Sequence, residues 1–85
     1  VIVVDNDPKA SAEETCKAFP DFRYIHEIKA GLSHARNAGA AAATGEYLLF
    51  LDDDARCPEG LIGTVTATLN RHAPDAFGGP VLPLY

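Results

Sequence analysis

Residues 46–57 are Glu-Tyr-Leu-Leu-Phe-Leu-Asp-Asp-Asp-Ala-Arg-Cys, an apolar run followed directly by three acids. The uninterrupted apolar residues 47–51 predict a strand buried on both faces, as in a mostly parallel sheet covered by helices. Asp52, Asp53 and Asp54 then follow the carboxyl end of that strand, at the edge of an open α/β sheet where ligands bind. Because adjacent carboxylates repel one another, a bound cation would stabilise them.

The remaining sequence alternates strand patterns with helix patterns. The predicted elements are a strand at 1–4, a helix at 12–19 with a capping box from Ser11 to Glu14, an edge strand at 22–26, an alanine-rich helix at 33–44 capped by Ser33, the strand at 47–51, a helix from Pro58 to about 72, and a turn or late strand at 76–82. This order predicts an α/β fold of three layers, α/β/α, with parallel strands and right-handed crossovers.

Composition excludes several classes of protein. An apolar fraction of 47% and a charged fraction of 22% are those of a folded globular domain. A net charge of −5 argues against a nucleic-acid partner, because phosphate backbones require a basic surface. No apolar run approaches the roughly 20 residues that span a bilayer, and the start lacks a basic signal region, so we expect a cytoplasmic location. Cys16 and Cys57 match no metal-finger spacing and are expected to be free.

Three segments resemble the family 2 glycosyltransferases of the GT-A fold. They are Lys29-Ala-Gly-Leu-Ser-His-Ala-Arg-Asn-Ala-Gly, Thr44-Gly-Glu-Tyr-Leu-Leu-Phe-Leu-Asp-Asp-Asp with Pro58, and the opening Val-Ile-Val-Val-Asp-Asn-Asp. The resemblance implies a Rossmann-like nucleotide-diphospho-sugar transferase fold, of which residues 1–85 would be an incomplete, N-terminal nucleotide-sugar-binding portion. The family's first strand, which lies between those at 1–5 and 47–51, would then be absent, as would the acceptor half with its general base, expected beyond Tyr85. We therefore expect residues 1–85 alone to be inactive.

The same resemblance implies a reaction and a set of site residues. The reaction is transfer of a sugar from a UDP-sugar or another NDP-sugar to a hydroxyl of a glycan, lipid or small-molecule acceptor. The resemblance also implies that Mg²⁺ or Mn²⁺ assists the reaction and that a single displacement inverts the configuration of the sugar. The resemblance is also compatible with a peripheral association of the full enzyme with the inner face of the membrane. The implied nucleotide-sugar contacts are Asp5 at the nucleoside, Arg36, Asn37, Asp52 and Asp53, and the implied metal ligands are Asp52 and Asp54. The triple acid permits two registers of the Asp-x-Asp motif.

Other interpretations of these residues exist. The acids at 52–54 could form a solvated turn at a helix N-terminus, Asp5 could serve only the turn after its strand, and Arg36 could extend into solvent. At the level of function, one alternative is a nucleotide- or metal-binding module without catalysis. Another is a receiver-like domain, which is disfavoured because its phosphoacceptor strand carries one Asp and no lysine follows in a later strand here.

Overall fold

The structure is a computed structural model and describes residues 1–79. Part of the turn or late strand predicted at 76–82 therefore lies outside the described residues. The elements are β1 (Ile2–Asp5), α1 (Glu13–Lys17), β2 (Arg23–His26), α2 (Leu32–Ala42) and α3 (Leu61–His72). The chain divides into two compact units, Val1–Phe50 and a second that begins at Leu51. Four of these elements belong to the first unit, and α3 belongs to the second.

β1 and β2 form a parallel pair, as the sequence predicts. The β-branched residues that open the chain favour a strand because their side chains pack well on a pleated surface. In the register of the pair, Ile2 lies opposite Arg23 and Asp5 lies opposite His26. The two strands therefore end level with each other, and the loops that follow them leave from one edge of the sheet.

α1 and α2 lie on opposite faces of this pair. A Cβ built on Gly39 of α2 would lie 3.3 Å from Val4 Cγ2, so α2 approaches the face of β1 that carries Val4. Side chains alternate along a strand, so Asp5 belongs to the other face. There the Asp5 carboxylate accepts the N–H of Ala12, the residue before α1. The first unit thus has the layered α/β arrangement expected, with a sheet of two strands.

The predicted helix caps are wrong, although α1 and α2 begin within one residue of the predicted positions. Neither serine caps a helix, and Pro58 precedes α3 instead of opening it. The N-cap residues are Ala12, Gly31 and Gly60, and among the described residues none makes a side-chain cap hydrogen bond. Gly31 has φ 127° and Gly60 has φ 79°, values of φ that glycine tolerates best. Helices α2 and α3 therefore begin at glycine backbone turns and not at side-chain caps.

The strand predicted at 47–51 is also wrong for this structure. These residues are not in a strand, and their large side chains are between 40% and 55% exposed. An apolar segment becomes a strand only when a neighbouring strand accepts and donates its backbone hydrogen bonds. Within residues 1–79 the only paired strands are β1 and β2, so the segment 47–51 has no hydrogen-bonded strand beside it.

Two other expectations can be compared with the structure. Cys16 and Cys57 are free, as expected, with Cys16 buried and Cys57 exposed. Among the residues that the structure describes, no helix combines the length and the apolar character needed to cross a membrane.

Candidate functional site

The carboxylate of Asp5 terminates β1 and is only 7% exposed. Its Oδ1 accepts the backbone N–H of Asp7 at 2.9 Å. Its Oδ2 accepts the backbone N–H of Ala12 at 2.9 Å and the hydroxyl of Tyr24 at 2.7 Å. The Tyr24 hydroxyl first, and then the two N–H donors, lower the pKa of Asp5 below its ordinary value. Asp5 is therefore a negative charge held in place at neutral pH.

Tyr24 is a site residue that the sequence did not reveal. It lies on β2 opposite Val3, and Val3 and Asp5 share a face of β1, so the phenol reaches the carboxylate across the pair. Desolvation, followed by the hydrogen bond to the anionic Asp5, raises the pKa of Tyr24 above its ordinary range. The phenol thus remains protonated and donates. The two-residue alternation of strand side chains could have indicated this pair once the register was known.

Asn6 is a second residue that the sequence analysis missed. Its Nδ2 donates to the carbonyls of Glu27 and Lys29, both at 2.8 Å, and its Oδ1 accepts the N–H of Gly31 at 2.9 Å. These partners lie 21 to 25 residues away in the chain. Asn6 thus binds the loop between β2 and α2, whereas Asp5 binds the loop between β1 and α1.

The loop after β1 has further contacts with the end of β2. His26 Nε2 lies 2.8 Å from the carbonyl oxygen of Asp7. The Asp7 carboxylate accepts the N–H of Lys9 at 3.0 Å, and this bond, followed by one from the Ser11 hydroxyl, lowers the pKa of Asp7. The edge of the sheet is therefore a network of short hydrogen bonds between two loops, centred on the end of β1.

Arg36 and Asn37 lie on α2, in the same unit as Asp5, and both are exposed. α2 packs on the face of β1 that carries Val4. The structure thus brings Asp5 and these two residues into one unit around one strand. Their contact with a bound donor stays a prediction.

Asp52, Asp53 and Asp54 lie in the second unit and are exposed. Asp53 and Asp54 occupy a turn in which the N–H of Ala55 donates to the carbonyl of Asp52 at 3.1 Å. Over the described part of the chain, no three His, Cys, Asp or Glu side chains gather as a metal site. Mg²⁺ needs no such cage, since one or two carboxylates with substrate phosphates and water complete its shell. The carboxylate oxygens here fit that chemistry.

Comparison with known proteins identifies one family and several of its members as similar to this chain. A model of the family described as "Glycosyl transferase family 2" matches residues 1–83. The uncharacterized glycosyltransferase EpsJ of Bacillus subtilis (strain 168) is 33% identical over 81 residues, which are 92% of this chain and 24% of that protein. The succinoglycan biosynthesis protein ExoM of Rhizobium meliloti (strain 1021) is 32% identical over 90 residues, covering 100% of this chain and 29% of that protein.

A third relative shows a similar degree of identity. The glucosyl-dolichyl phosphate glucuronosyltransferase of Haloferax volcanii is 34% identical over 92 residues, covering 98% of this chain and 28% of that protein. The chain thus spans between 24% and 29% of the length of these three relatives. No solved structure matches.

Proposed function

The chain belongs to glycosyl transferase family 2, and we propose that it is the donor-binding part of an enzyme that transfers a sugar from a nucleoside diphosphate sugar, such as a UDP-sugar, to an acceptor hydroxyl. The observation that carries the proposal is the family match over residues 1–83, which includes every candidate site residue. The receiver-like alternative does not agree with this family membership.

Asp5 is suited to the nucleoside end of the donor. An ionised carboxylate offers about four acceptor positions, and the hydrogen bonds to Asp7, Ala12 and Tyr24 occupy three of them. The remaining position, on Oδ1, can accept one bond from a base N–H or a ribose hydroxyl. Since the carboxylate is already charged and fixed, such a bond requires little rearrangement of the protein.

Asp52 and Asp54 are the residues that would hold Mg²⁺ or Mn²⁺, and Asp53 would contact the nucleotide. In the other register of the Asp-x-Asp motif, Asp53 would take part in the motif itself. A divalent ion supplies neutralisation of the charge that develops on the diphosphate leaving group. Arg36 and Asn37 would donate to the donor's oxygens from α2, since guanidinium and amide groups both carry N–H donors. A general base would take the proton of the acceptor hydroxyl, whose oxygen would attack the anomeric carbon as the nucleoside diphosphate leaves, and this single displacement would invert the anomeric centre.

The names of the relatives suggest the class of acceptor. One relative is a succinoglycan biosynthesis protein, and another acts on glucosyl-dolichyl phosphate. We therefore propose that the acceptor is a hydroxyl of a glycan, either free or attached to a lipid.

The first experiment measures binding to the intact protein. Calorimetry with ADP, CDP, GDP, UDP and dTDP, each with and without Mn²⁺, should find one nucleotide that binds more tightly when the ion is present. Release of that nucleotide from the matching NDP-sugar should follow when acceptors are added. Failure to bind any of the five would overturn the proposal, and binding without turnover would favour the non-catalytic module.

The metal ligands are tested by a substitution with a matched control. Asp54→Asn removes one charge from the proposed ligands, and we expect it to weaken the Mn²⁺-dependent part of nucleotide binding by about tenfold or more. Asp75→Asn changes an exposed aspartate of the same unit and should leave binding unchanged. Equal binding by the two variants would show that Asp54 is not a ligand.

A further inference from the structure

The side chain of Asn6 uses both of its N–H donors within the protein. They bind the carbonyls of Glu27 and Lys29, while the amide oxygen accepts from Gly31. Among uncharged side chains, only the amides of asparagine and glutamine offer two N–H donors together with a carbonyl acceptor, and that of asparagine is on the shorter side chain. Asn6 is half-buried and lies directly after Asp5, so its amide joins the loop before α2 to the end of β1.

The bond to Gly31 also fixes the beginning of α2, because Gly31 is the N-cap residue of that helix. The middle of α2 rests on β1 through the close approach of Gly39 to Val4. Its C-terminal end is held differently, by a bond of 3.1 Å from Arg23 Nη1 to the carbonyl of Ala42. Helix α2 is thus attached to the strand pair at both ends, and Asn6 provides the attachment at the end nearer to Asp5.

We infer that Asn6 is a positioning residue for the donor site: its amide holds the loop 27–31 and the start of α2 at the edge where Asp5 lies. Through α2 it also fixes the position of Arg36 and Asn37. The inference rests on the proposed function, since it requires a nucleoside diphosphate to bind at this edge. Asn6 itself contributes by arrangement of the loop and not by contact with the substrate, because its donors are already engaged.

The substitution Asn6→Asp tests this role in the intact protein. Aspartate has the same shape and can still accept from Gly31, but it places an anionic oxygen opposite the two carbonyls and adds a charge beside Asp5 and Asp7. The loop should detach from the end of β1. We expect faster hydrogen exchange at the amide of Gly31, measured without ligand, and binding of the nucleoside diphosphate weakened by at least about fivefold.

Arg23→Met provides the matched control because it removes the bond at the other end of α2. It should leave exchange at Gly31 and nucleotide affinity near those of the unaltered protein. The probe is UDP with Mn²⁺, or whichever of the five nucleoside diphosphates binds most tightly. In steady-state assays Asn6→Asp should raise the KM for the donor and leave the KM for the acceptor unchanged.

Each outcome decides the inference. If Asn6→Asp lowers the folded fraction but the folded protein keeps its nucleotide affinity, the residue is merely structural and the inference is wrong. If the unaltered protein binds no nucleoside diphosphate, the proposed function fails and the positioning role fails with it. Should Asn6→Asp not fold, Asn6→Ala removes the same bonds without repulsion, and the same changes at Gly31 and in donor affinity are required of it.

Discussion

Replacing Asp5 with asparagine tests the feature on which the sheet edge depends, the buried anion at the end of β1. The amide has the same shape but only one acceptor oxygen. If that oxygen turns toward Ala12 and Tyr24, the amide nitrogen faces the N–H of Asp7, and two donors oppose each other. One hydrogen bond is then lost, and the other two lose the benefit of a charged acceptor.

The size of the effect follows from these bonds. A hydrogen bond to a charged group contributes roughly 1.5–3 kcal/mol, so losing one and weakening two should lower the free energy of unfolding by about 2–3 kcal/mol at pH 7. The effect should depend on pH in a definite direction. The pKa of Asp5 is lowered on folding from its ordinary 3.8, so its contribution is fully present above that value. It disappears as the pH falls through the lower, folded pKa, and the difference between the two proteins should shrink there.

Urea unfolding of the intact protein at neutral and acidic pH measures this difference. Asp21→Asn is the matched control, since Asp21 is an exposed aspartate in the same unit. The control should be as stable as the unaltered protein at both pH values. If Asp5→Asn is equally stable at pH 7, the carboxylate does not hold the loop between β1 and α1 or contribute to the stability of the sheet edge.

Two further predictions concern neighbouring residues. Tyr24→Phe removes the donor that contributes most to the lowered pKa of Asp5, so that pKa should rise toward its ordinary value, which carboxyl-resolved NMR titration would detect. Gly39→Ala and Gly63→Ala form a pair, because both glycines lie in helices but only Gly39 would bring a Cβ to 3.3 Å from Val4, with nothing within 4 Å of Gly63. Gly63→Ala should raise the free energy of unfolding by about 0.5–1 kcal/mol, and Gly39→Ala should show a smaller gain or a loss, as thermal unfolding would report.

The elements of the first unit were predictable because their signals are local. β-branched residues before an Asp-Asn-Asp turn gave β1, and the alanine-rich segment gave α2, each within a few residues of its observed bounds. The segment 47–51 shows the limit of such reasoning. Its apolar character is correct for a buried strand, but strand formation depends on a hydrogen-bonded neighbour, which no property of the segment itself can supply.

The candidate site was predictable only in part, for a related reason. Asp5 was proposed through the resemblance of the opening segment to family 2 glycosyltransferases, and its contact with a nucleoside stays a prediction. Tyr24 and Asn6 were missed because their partners lie 19 to 25 residues away and depend on the register of β1 with β2. The helix caps were predicted wrongly because glycine backbone turns, and not serine or proline side chains, begin two of the three helices in the described residues.

The hydrogen bonds of two adjacent residues at the end of β1 explain how they can organise one edge of the sheet. Asp5, the last residue of β1, accepts from the loop before α1, while Asn6, the residue that follows, binds the loop before α2. The Asp5 carboxylate only accepts hydrogen bonds, whereas the Asn6 amide donates two. If the two residues were exchanged, the amide N–H groups at position 5 would face backbone N–H groups. The carboxylate at position 6 would then face backbone carbonyls. The double variant Asp5→Asn with Asn6→Asp keeps both composition and charge, and it should nevertheless lose both loop attachments. If it retained nucleotide affinity and stability, the order of these two residues would be irrelevant to the edge.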